Sequence, residues 1–398
     1  MKIFVINCGS SSIKYQLFDM TDESVLAKGI VERIGGGEPN LEHATGERTV
    51  ERQVDVADHA AGVRLILDVL CDAELGVLKS VDEIDGVGHR VVHGGETVTA
   101  SRRIDEALCD VIRQNIPLAP LHNPPNLAGI EGAMAAISGA AHVAVFDTAF
   151  LATLPPAAYR YAVPTEWYTQ HKVRRYGFHG TSHRYVTLQA AALLGKRVDE
   201  VNLITCHLGN GCSMTAVAAG VAVDHSMGMT PLEGLVMGTR SGDIDPAIIP
   251  FMVSRGLSIE DVERALNKES GLLGVSGIGN DMRDLLAARA DGDAKAALAV
   301  DMFCRRVGKY IGAYTTLLPS VDAVVLTGGI GENALPVREA ICRQLASLGA
   351  VFDADRNEAA AGRAGPITAD GCRLPVWIIP TNEELMIARD TADLVGSD

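Results

Sequence analysis

Apolar and polar residues alternate with a period of two along the first part of the chain, a pattern typical of antiparallel strands with one buried face. The pattern covers residues 13–20, 25–34 and 48–54, with a turn at the three glycines 35–37. Helical spacing follows, interrupted by short apolar runs that predict buried strands. The predicted helices are 57–70, 104–114 and 125–137, and the predicted strands are 84–88 and 142–146. The pattern predicts an α/β fold.

The order of strand, turn, strand and then helices begins again near Val201. In the first copy the apolar strand 3–6 delivers Asn7, and in the second the strand from 203 delivers His207. Two positions later a glycine opens a turn whose backbone N–H groups and hydroxyls suit phosphate oxygens. The repetition predicts a duplicated domain with phosphate held between the copies.

The length of 398 residues, 47% of them hydrophobic, is enough for two cores. A proline-bearing stretch at 154–164 indicates the boundary between them. The predicted domains are 1–148, joined by a C-terminal helix at 383–398, and 149–382. Further helices are predicted at 281–290, 294–317 and 334–348.

The formal charge of −15 argues against nucleic acid, which is bound through a cationic surface, so an anionic ligand needs a local cluster of arginines. The eight cysteines form no C-x-x-C pair, which indicates reduced thiols. No apolar run reaches the 18 or more residues of a membrane span, and none suits a signal peptide. We therefore expect a cytoplasmic protein that binds neither nucleic acid nor membrane.

A third glycine turn, at 327–333, follows an apolar strand and opens a helix. Glycines at 328, 329 and 331 allow the backbone to lie against a bulky planar ligand such as a nucleoside. The Walker P-loop is absent, Met214 breaks the Rossmann pattern that begins at Gly209, and the protein-kinase triplets are also absent. The chain therefore predicts a nucleotide site of another class.

Charged candidates stand at strand ends and in glycine-flanked loops. Arg90 follows the strand predicted to end at Gly88, Arg240 lies between glycines, and His179 stands between Phe178 and Gly180. Ligands bind at strand ends in open α/β sheets, so these residues are anion-binding candidates. Asp147 ends the predicted strand at 142–146, where a helix-capping role competes with a functional one.

With these motifs the chain resembles the acetokinase family, within the superfamily of acetate and sugar kinases, Hsp70 and actin. The resemblance runs from Asn7 to the segment 380–384 and covers nearly the whole chain. It implies a duplicated actin-like ATPase fold with ribonuclease H-like halves and an active site in the interdomain cleft. It further implies a homodimer that transfers the ATP γ-phosphoryl group to a carboxylate, with magnesium as the metal and manganese as a substitute.

The resemblance also implies a role for each matching position. Arg90 matches the arginine for the substrate carboxylate, Asp147 the essential aspartate, and His179 and Arg240 the pair that stabilises the transition state, while Asn7 matches a magnesium-site asparagine. The implied nucleotide residues are Ser10, Ser12 and Lys14 in the first turn, His207, Leu208, Gly209, Asn210 and Gly211 in the second, Asp281, Met282 and Arg283, and Gly329, Ile330, Gly331, Glu332 and Asn333.

The metal carboxylate is a choice between two neighbouring glutamates. Thr381 and Glu384 have the spacing of a capping box, which assigns Glu384 to the helix start and leaves Glu383 as the magnesium residue. Val92, Leu121, Phe178 and Pro231 form a predicted apolar wall with room for a methyl group, although a core role for each is the alternative.

Three alternatives stay open at this stage. Sister kinases for propionate and butyrate share much of the pattern. A protein that uses nucleotide to change conformation, as actin and Hsp70 do, belongs to a different class. A two-step route through phosphorylated Glu383 or Asp147 competes with direct in-line transfer.

Overall fold

The computed structural model describes residues 1–396, which form two compact units. Unit 1 comprises Met1–Ala152 and the residues from Asn382 onward, and unit 2 comprises Thr153–Thr381. The domain limits predicted from the sequence differ from this division by a few residues. Residues 397 and 398, which belong to the predicted C-terminal helix, lie outside the described residues. No helix within 1–396 is long and apolar enough to cross a membrane.

Unit 1 contains one eight-stranded sheet. Its strands are β1 (Lys2–Cys8), β2 (Ser12–Asp19), β3 (Ser24–Glu32), β4 (Asn40–Thr45), β5 (Arg48–Gln53), β6 (Gly86–Val91), β7 (Arg102–Arg103) and β8 (Ala141–Phe146). They lie in the order β5-β4-β3-β2-β1-β6-β8-β7. The first five strands form an antiparallel meander, whereas β1, β6 and β8 are parallel.

Four helices cover this sheet. They are α1 (His59–Leu70), α2 (Glu106–Gln114), α3 (Asn123–Ala136) and the last helix of the chain, α15 (Glu383–Val395). Apolar residues of β1, β2 and α1 form the main core. Helix α15 packs on β1, β6 and β8, the parallel part of the sheet. The first residues of α15 therefore lie among the strands that carry the charged candidates.

Unit 2 contains a six-stranded sheet and the remaining helices. Its strands are β9 (Leu203–Leu208), β10 (Cys212–Ala218), β11 (Val221–His225), β12 (Ala323–Thr327), β13 (Gly365–Pro366) and β14 (Val376–Ile378). Its helices are α4 (Pro156–Tyr159), α5 (Thr165–His171), α6 (Gly180–Leu193), α7 (Ile248–Ser254), α8 (Ile259–Lys268), α9 (Gly271–Ser276), α10 (Met282–Ala290), α11 (Ala294–Thr315), α12 (Gly328–Asn333), α13 (Leu335–Gln344) and α14 (Ala354–Ala359).

The two sheets repeat one strand order. In unit 2 the order is β11-β10-β9-β12-β14-β13, with β9, β12 and β14 parallel and β10 and β11 antiparallel. The order β3-β2-β1-β6-β8 in unit 1 has the same directions. A meander followed by parallel strands in each of two units is the actin-like ATPase fold that the sequence predicted.

Two sequence predictions in unit 1 need correction. The strand β4 was missed, because its inward residue His43 is polar; it is buried and its Nδ1 lies 2.6 Å from the Tyr15 hydroxyl. Strand β6 runs to Val91 and does not end at Gly88, because its ladder with β8 continues through the polar residues His89 and Arg90. Arg90 is therefore part of the strand.

Candidate functional site

The end of β1 in unit 1 carries a polar turn. Asn7 pairs with Lys14 across the β1–β2 ladder, so the two side chains stand on the same face of the sheet. The turn between them is closed by a hydrogen bond from Gly9 N to Ser12 O of 2.8 Å. Ser10 and Lys14 are exposed and Ser12 is half-buried. These residues have the donors that the predicted phosphate turn requires.

Arg90 and Asp147 form an ion pair at the ends of β6 and β8. Arg90 donates from Nε to Asp147 Oδ1 (3.1 Å), from Nη2 to Asp147 Oδ2 (2.6 Å), and from Nη1 to Asn7 Oδ1 (3.3 Å). The Asp147 side chain is buried and Arg90 is 21% exposed. Burial lowers the pKa of Arg90, but the carboxylates of Asp147 and Glu383 outweigh it and raise that pKa above its ordinary value.

Glu383 begins α15 beside this pair. Burial, together with repulsion by Asp147 and Glu384, raises its pKa to about 7 despite the opposing charge of Arg90. Within residues 1–396 no group of three or more His, Cys, Asp or Glu side chains could hold a metal. Two carboxylates and the Asn7 amide oxygen still fit Mg²⁺, which prefers oxygen ligands and usually takes one or two carboxylates plus substrate phosphates.

The predicted capping box at Thr381 and Glu384 is wrong. The N-cap of α15 is Asn382, whose Oδ1 accepts from Leu385 N at 3.0 Å. The Thr381 N–H instead donates to Glu332 Oε1 at 3.0 Å. Glu384 is thus the second helical residue and, within the described residues, is not the cap, and the case for Glu383 rests on its half-buried position beside Arg90 and Asp147.

Asn126 on α3 is a residue that sequence reasoning missed. Its Oδ1 accepts from Val92 N at 3.0 Å and its Nδ2 donates to Cys8 O at 2.7 Å. The buried amide therefore links the ends of β1 and β6, which carry Asn7 and Arg90. The only local signal was a polar residue in an otherwise apolar stretch of a predicted helix.

In unit 2 the turn between β9 and β10 is anchored on several sides. Gly209 N donates to Gly211 O (3.2 Å), Gly238 N to Asn210 O (2.9 Å), and Asn280 Nδ2 to Asn210 Oδ1 (2.9 Å). A Cβ at Gly238 would lie 1.8 Å from Asn210 Oδ1, so only glycine allows this approach.

A cavity of about 620 Å³ opens beside this turn. That volume is within the roughly 300–1,000 Å³ of small-ligand sites. It brings together eight predicted nucleotide residues: Gly209, Asn210, Asp281, Met282, Arg283, Gly329, Ile330 and Asn333. Asn280, Leu286 and residues 334–336 also line it and were missed. Three separate segments of the chain, 209–210, 280–286 and 329–336, form one wall, as a nucleoside site requires.

Five other predicted nucleotide residues of unit 2 do not line the cavity: His207, Leu208, Gly211, Gly331 and Glu332. Glu332 Oε1 accepts from Gly328 N (2.8 Å), Thr327 Oγ1 (3.1 Å) and Thr381 N. Gly328 stands in the left-handed region (φ 76°), which glycine adopts readily. The Glu332 side chain therefore holds the third glycine turn in place.

His179 and Arg240 meet over Gly211. A Cβ at Gly211 would lie 3.5 Å from His179 Nε2 and 3.6 Å from Arg240 Nη1. His179 occupies the left-handed region (φ 58°), a conformation that costs a non-glycine residue about 1–3 kcal/mol. Burial lowers the pKa of Arg240.

A network of buried hydroxyls and histidines behind His179 was missed by sequence reasoning. Ser213 Oγ lies 2.9 Å from His179 Nδ1 and 2.7 Å from His183 Nε2. The rings of His179 and His207 stack with centroids 4.4 Å apart, and His207 Nδ1 lies 2.8 Å from Ser182 Oγ. The spacing of these histidines in the sequence does not reveal which hydroxyls they contact.

The four residues of the predicted apolar wall differ in setting. Val92 in unit 1 is buried, whereas Leu121 in the same unit is 63% exposed. In unit 2 Phe178 is buried, with its N–H donating to His225 Nε2 at 3.1 Å, and Pro231 is half-buried. Their joint role as a substrate wall stays a prediction.

Comparisons with known proteins cover the whole chain. A model of the acetokinase family matches residues 2–389. The chain is 54% identical over 400 residues to an acetate kinase of Halothermothrix orenii, with 100% of both chains covered. Among solved structures it is similar to an acetate kinase of Porphyromonas gingivalis (45% identity, TM-score 0.95) and a propionate kinase of Francisella tularensis (40%, 0.93), each over 99% of both chains.

Proposed function

The chain belongs to the acetokinase family, and on that premise we propose that it transfers the γ-phosphoryl group of ATP to acetate, reversibly, giving acetyl phosphate and ADP. The observation that carries the proposal is the Arg90–Asp147 pair at strand ends in a chain 54% identical throughout its length to an acetate kinase. Acetate is favoured over propionate because the curated relatives at about this identity are acetate kinases.

Arg90 binds the acetate carboxylate in this proposal. Within the described residues, Asp147 and Asn7 accept from three of its five N–H groups. The two remaining N–H groups, one on each terminal nitrogen, match the two oxygens of a carboxylate. Asp147 orients the guanidinium, since both of its carboxylate oxygens accept from Arg90.

The cavity beside Gly209 and Asn333 receives the nucleoside of ATP, and the β9–β10 turn receives its phosphates through backbone N–H groups. Arg240 and His179 stand at the far side of this turn, next to Gly211. Their N–H groups donate to the equatorial oxygens of the transferring phosphoryl group, where negative charge spreads in the transition state.

No general base is needed, because acetate is already ionised at neutral pH. Direct in-line transfer is favoured over a phosphorylated Asp147 or Glu383, because the cationic groups proposed to stabilise the transition state already support a single step. Asn7, Asp147 and Glu383 would hold Mg²⁺, which neutralises phosphate charge when bound. Manganese, with the same preference for oxygen ligands, is the expected substitute.

A steady-state assay tests the proposal. The protein is incubated with ATP, Mg²⁺ and acetate, and acetyl phosphate is trapped with hydroxylamine; propionate and butyrate are run in parallel. Acetyl hydroxamate with a kcat/KM for acetate above that for the longer acids is expected. Preference for propionate or butyrate would assign the sister activity, and ATP turnover without any acyl hydroxamate would favour a conformational ATPase.

A homodimer in the cytoplasm completes the proposal, from the family resemblance. Helix α7 supports self-association, because Ile248, Phe251 and Val253 are 41%, 54% and 42% exposed. Sedimentation equilibrium on wild type and on Phe251→Glu measures this, and a monomeric wild type would contradict it.

A further inference from the structure

The hydroxyl of Ser213 lies between two imidazole rings in unit 2. Ser213 is fully buried on β10, with Oγ 2.9 Å from His179 Nδ1 and 2.7 Å from His183 Nε2. A hydroxyl has one hydrogen, so Ser213 donates to one ring and must accept from the other. The direction of this pair of bonds decides which nitrogen of His179 carries a hydrogen.

His183 limits the choice to two arrangements. The ring is fully buried, and burial lowers its pKa well below the ordinary value, so it is neutral with a single ring hydrogen. Its Nδ1 lies 2.7 Å from Thr205 Oγ1. In the first arrangement, Thr205 donates to His183 Nδ1, and His183 Nε2 donates to Ser213. In the second arrangement, His183 Nδ1 donates to Thr205, and Ser213 donates to His183 Nε2.

The distances favour the first arrangement. In the second arrangement, the Thr205 hydroxyl donates to the Thr215 carbonyl oxygen, which is 3.5 Å away. In the first arrangement, the Thr205 hydroxyl donates to His183 Nδ1 at 2.7 Å. Since O–H donors bond at about 2.5–3.0 Å, the chain of bonds runs from Thr205 through His183 to Ser213, and Ser213 donates to His179 Nδ1.

Arg240 favours the neutral form of His179. Its Nη1 and the His179 ring both lie within 3.6 Å of the position that a Cβ at Gly211 would take. A neighbouring guanidinium disfavours a second positive charge on the ring. A neutral His179 that accepts at Nδ1 has its one hydrogen on Nε2, the nitrogen that lies beside Gly211.

We propose that Ser213 is a positioning residue that sets the tautomer of His179, so that the neutral ring donates from Nε2 to the transferring phosphoryl group. Thr205 and His183 set the direction of the Ser213 hydroxyl. This inference rests on the proposed function for its catalytic consequence, whereas the tautomer is a property of the protein without substrate.

Nuclear magnetic resonance on the full chain labelled with ¹⁵N-histidine tests the tautomer. The His179 signals are assigned by their loss in His179→Gln. In wild type at neutral pH, Nδ1 is expected to resonate as an unprotonated nitrogen and Nε2 as a protonated one. A protonated Nδ1 in wild type would overturn the inference, even if the protein makes acetyl phosphate.

Kinetics test the consequence. Ser213→Ala is expected to lower kcat by about tenfold, less than the roughly 10²-fold cost of deleting a donor, because the ring remains. KM for ATP and acetate should stay unchanged, and Ser213→Thr should restore kcat. Ser226→Ala is the matched control, since its buried Oγ accepts from Met214 N at 2.8 Å and, within residues 1–396, no hydrogen bond joins it to a histidine ring.

The outcomes separate the two proposals. Equal kcat in wild type and Ser213→Ala, or an equal loss in Ser226→Ala, would overturn the role of Ser213. Wild type that forms no acetyl phosphate would overturn the proposed function and the catalytic half of this inference, while the resonance measurement still decides the tautomer.

Discussion

The two units share one strand order, yet the turns that follow their first strands are held differently. The turn after β1 has one backbone bond across it, Ile34 N donates to Ser11 O at 3.0 Å, and His59 Nε2 lies 2.7 Å from Gly9 O. In the turn after β9, Asn210 accepts two hydrogen bonds. Its backbone oxygen accepts from Gly238 N, and its side-chain Oδ1 accepts from the Asn280 amide. The first turn is held through its backbone, whereas the second is also held through the side chain of Asn210.

The charges beside the two turns differ as well. Unit 1 pairs Arg90 with Asp147 and places Glu383 nearby, whereas unit 2 places Arg240 beside the half-buried ring of His179. The shared topology determines where strands end, and the residues at those ends determine the chemistry. In the proposed function, acceptor and metal binding therefore belong to unit 1, and nucleotide binding and transition-state stabilisation to unit 2.

The largest expected effect is on turnover through unit 2. Arg240→Ala should lower kcat by at least about 10²-fold, because a donor to the transition-state charge is lost. KM for acetate should change little, since acetate is assigned to unit 1. Steady-state kinetics with Arg240→Lys as the charge-retaining control check this, and near-normal turnover in Arg240→Ala would remove the division of roles.

The matching change in unit 1 should affect acetate binding. Arg90→Ala should raise KM for acetate by roughly tenfold or more, since hydrogen bonds to a charged group contribute about 1.5–3 kcal/mol. KM for ATP should stay near the wild-type value. Arg90→Lys retains the charge beside Asp147 and controls for instability; an unchanged acetate KM in Arg90→Ala would exclude this residue from the acceptor site.

Alanine at glycines of the two turns compares their rigidity. At Gly238 the new Cβ lies 1.8 Å from Asn210 Oδ1, whereas at Gly9 it lies 3.1 Å from the Ser12 hydroxyl, which can rotate away. Gly238→Ala should raise KM for ATP by about tenfold through displacement of the turn. Gly9→Ala should have a smaller effect, and equal effects would mean that the two turns are equally constrained.

Val92 tests the substrate wall beside Arg90. Val92→Ala removes two methyl groups from a buried side chain and leaves Arg90 to hold the carboxylate. The kcat/KM ratio of propionate over acetate should rise by about tenfold, the scale of one methylene contact. Both acids are assayed on wild type and variant, and an unchanged ratio would make Val92 an ordinary core residue.

The smallest expected effect is that of Glu383→Gln, which should change the free energy of unfolding measured without Mg²⁺. The pKa of Glu383 is about 7 in the folded protein against an ordinary 4.5, so the folded state loses its proton later as pH rises. The contribution of this group to the free energy of unfolding is therefore largest below pH 4.5. It decreases between pH 4.5 and about pH 7, and it is constant above that. Above pH 7, Glu383→Gln should be more stable than wild type by about 1–3 kcal/mol.

Urea unfolding across this pH range measures the effect, with Glu384→Gln as the matched neighbour. Adding Mg²⁺ should stabilise wild type above pH 7 and leave Glu383→Gln unchanged, since the charged ligand is absent. A gain that persists in Glu383→Gln and is lost in Glu384→Gln would move the metal site to the neighbouring glutamate.

Local spacing in the sequence was sufficient for most strands of the unit 1 sheet. Alternation predicted β2, β3 and β5, and helical spacing predicted α1, α2, α3 and α11, because one buried face imposes its period on consecutive residues. It failed for β4, where the inward residue His43 is polar, and for the end of β6. The glycine turns were predicted because few other residues allow such tight backbone.

Only the tertiary structure decided which polar groups meet. Arg90 and Asp147 are far apart in sequence and are joined because β6 and β8 are parallel neighbours. Thr381 had a local partner available in Glu384, yet its N–H bonds Glu332, and Asn382 caps the helix. A polar group can be satisfied by near or distant partners, and the packing of strands and helices selects between them. The contacts of Ser213 with two histidines follow the same rule.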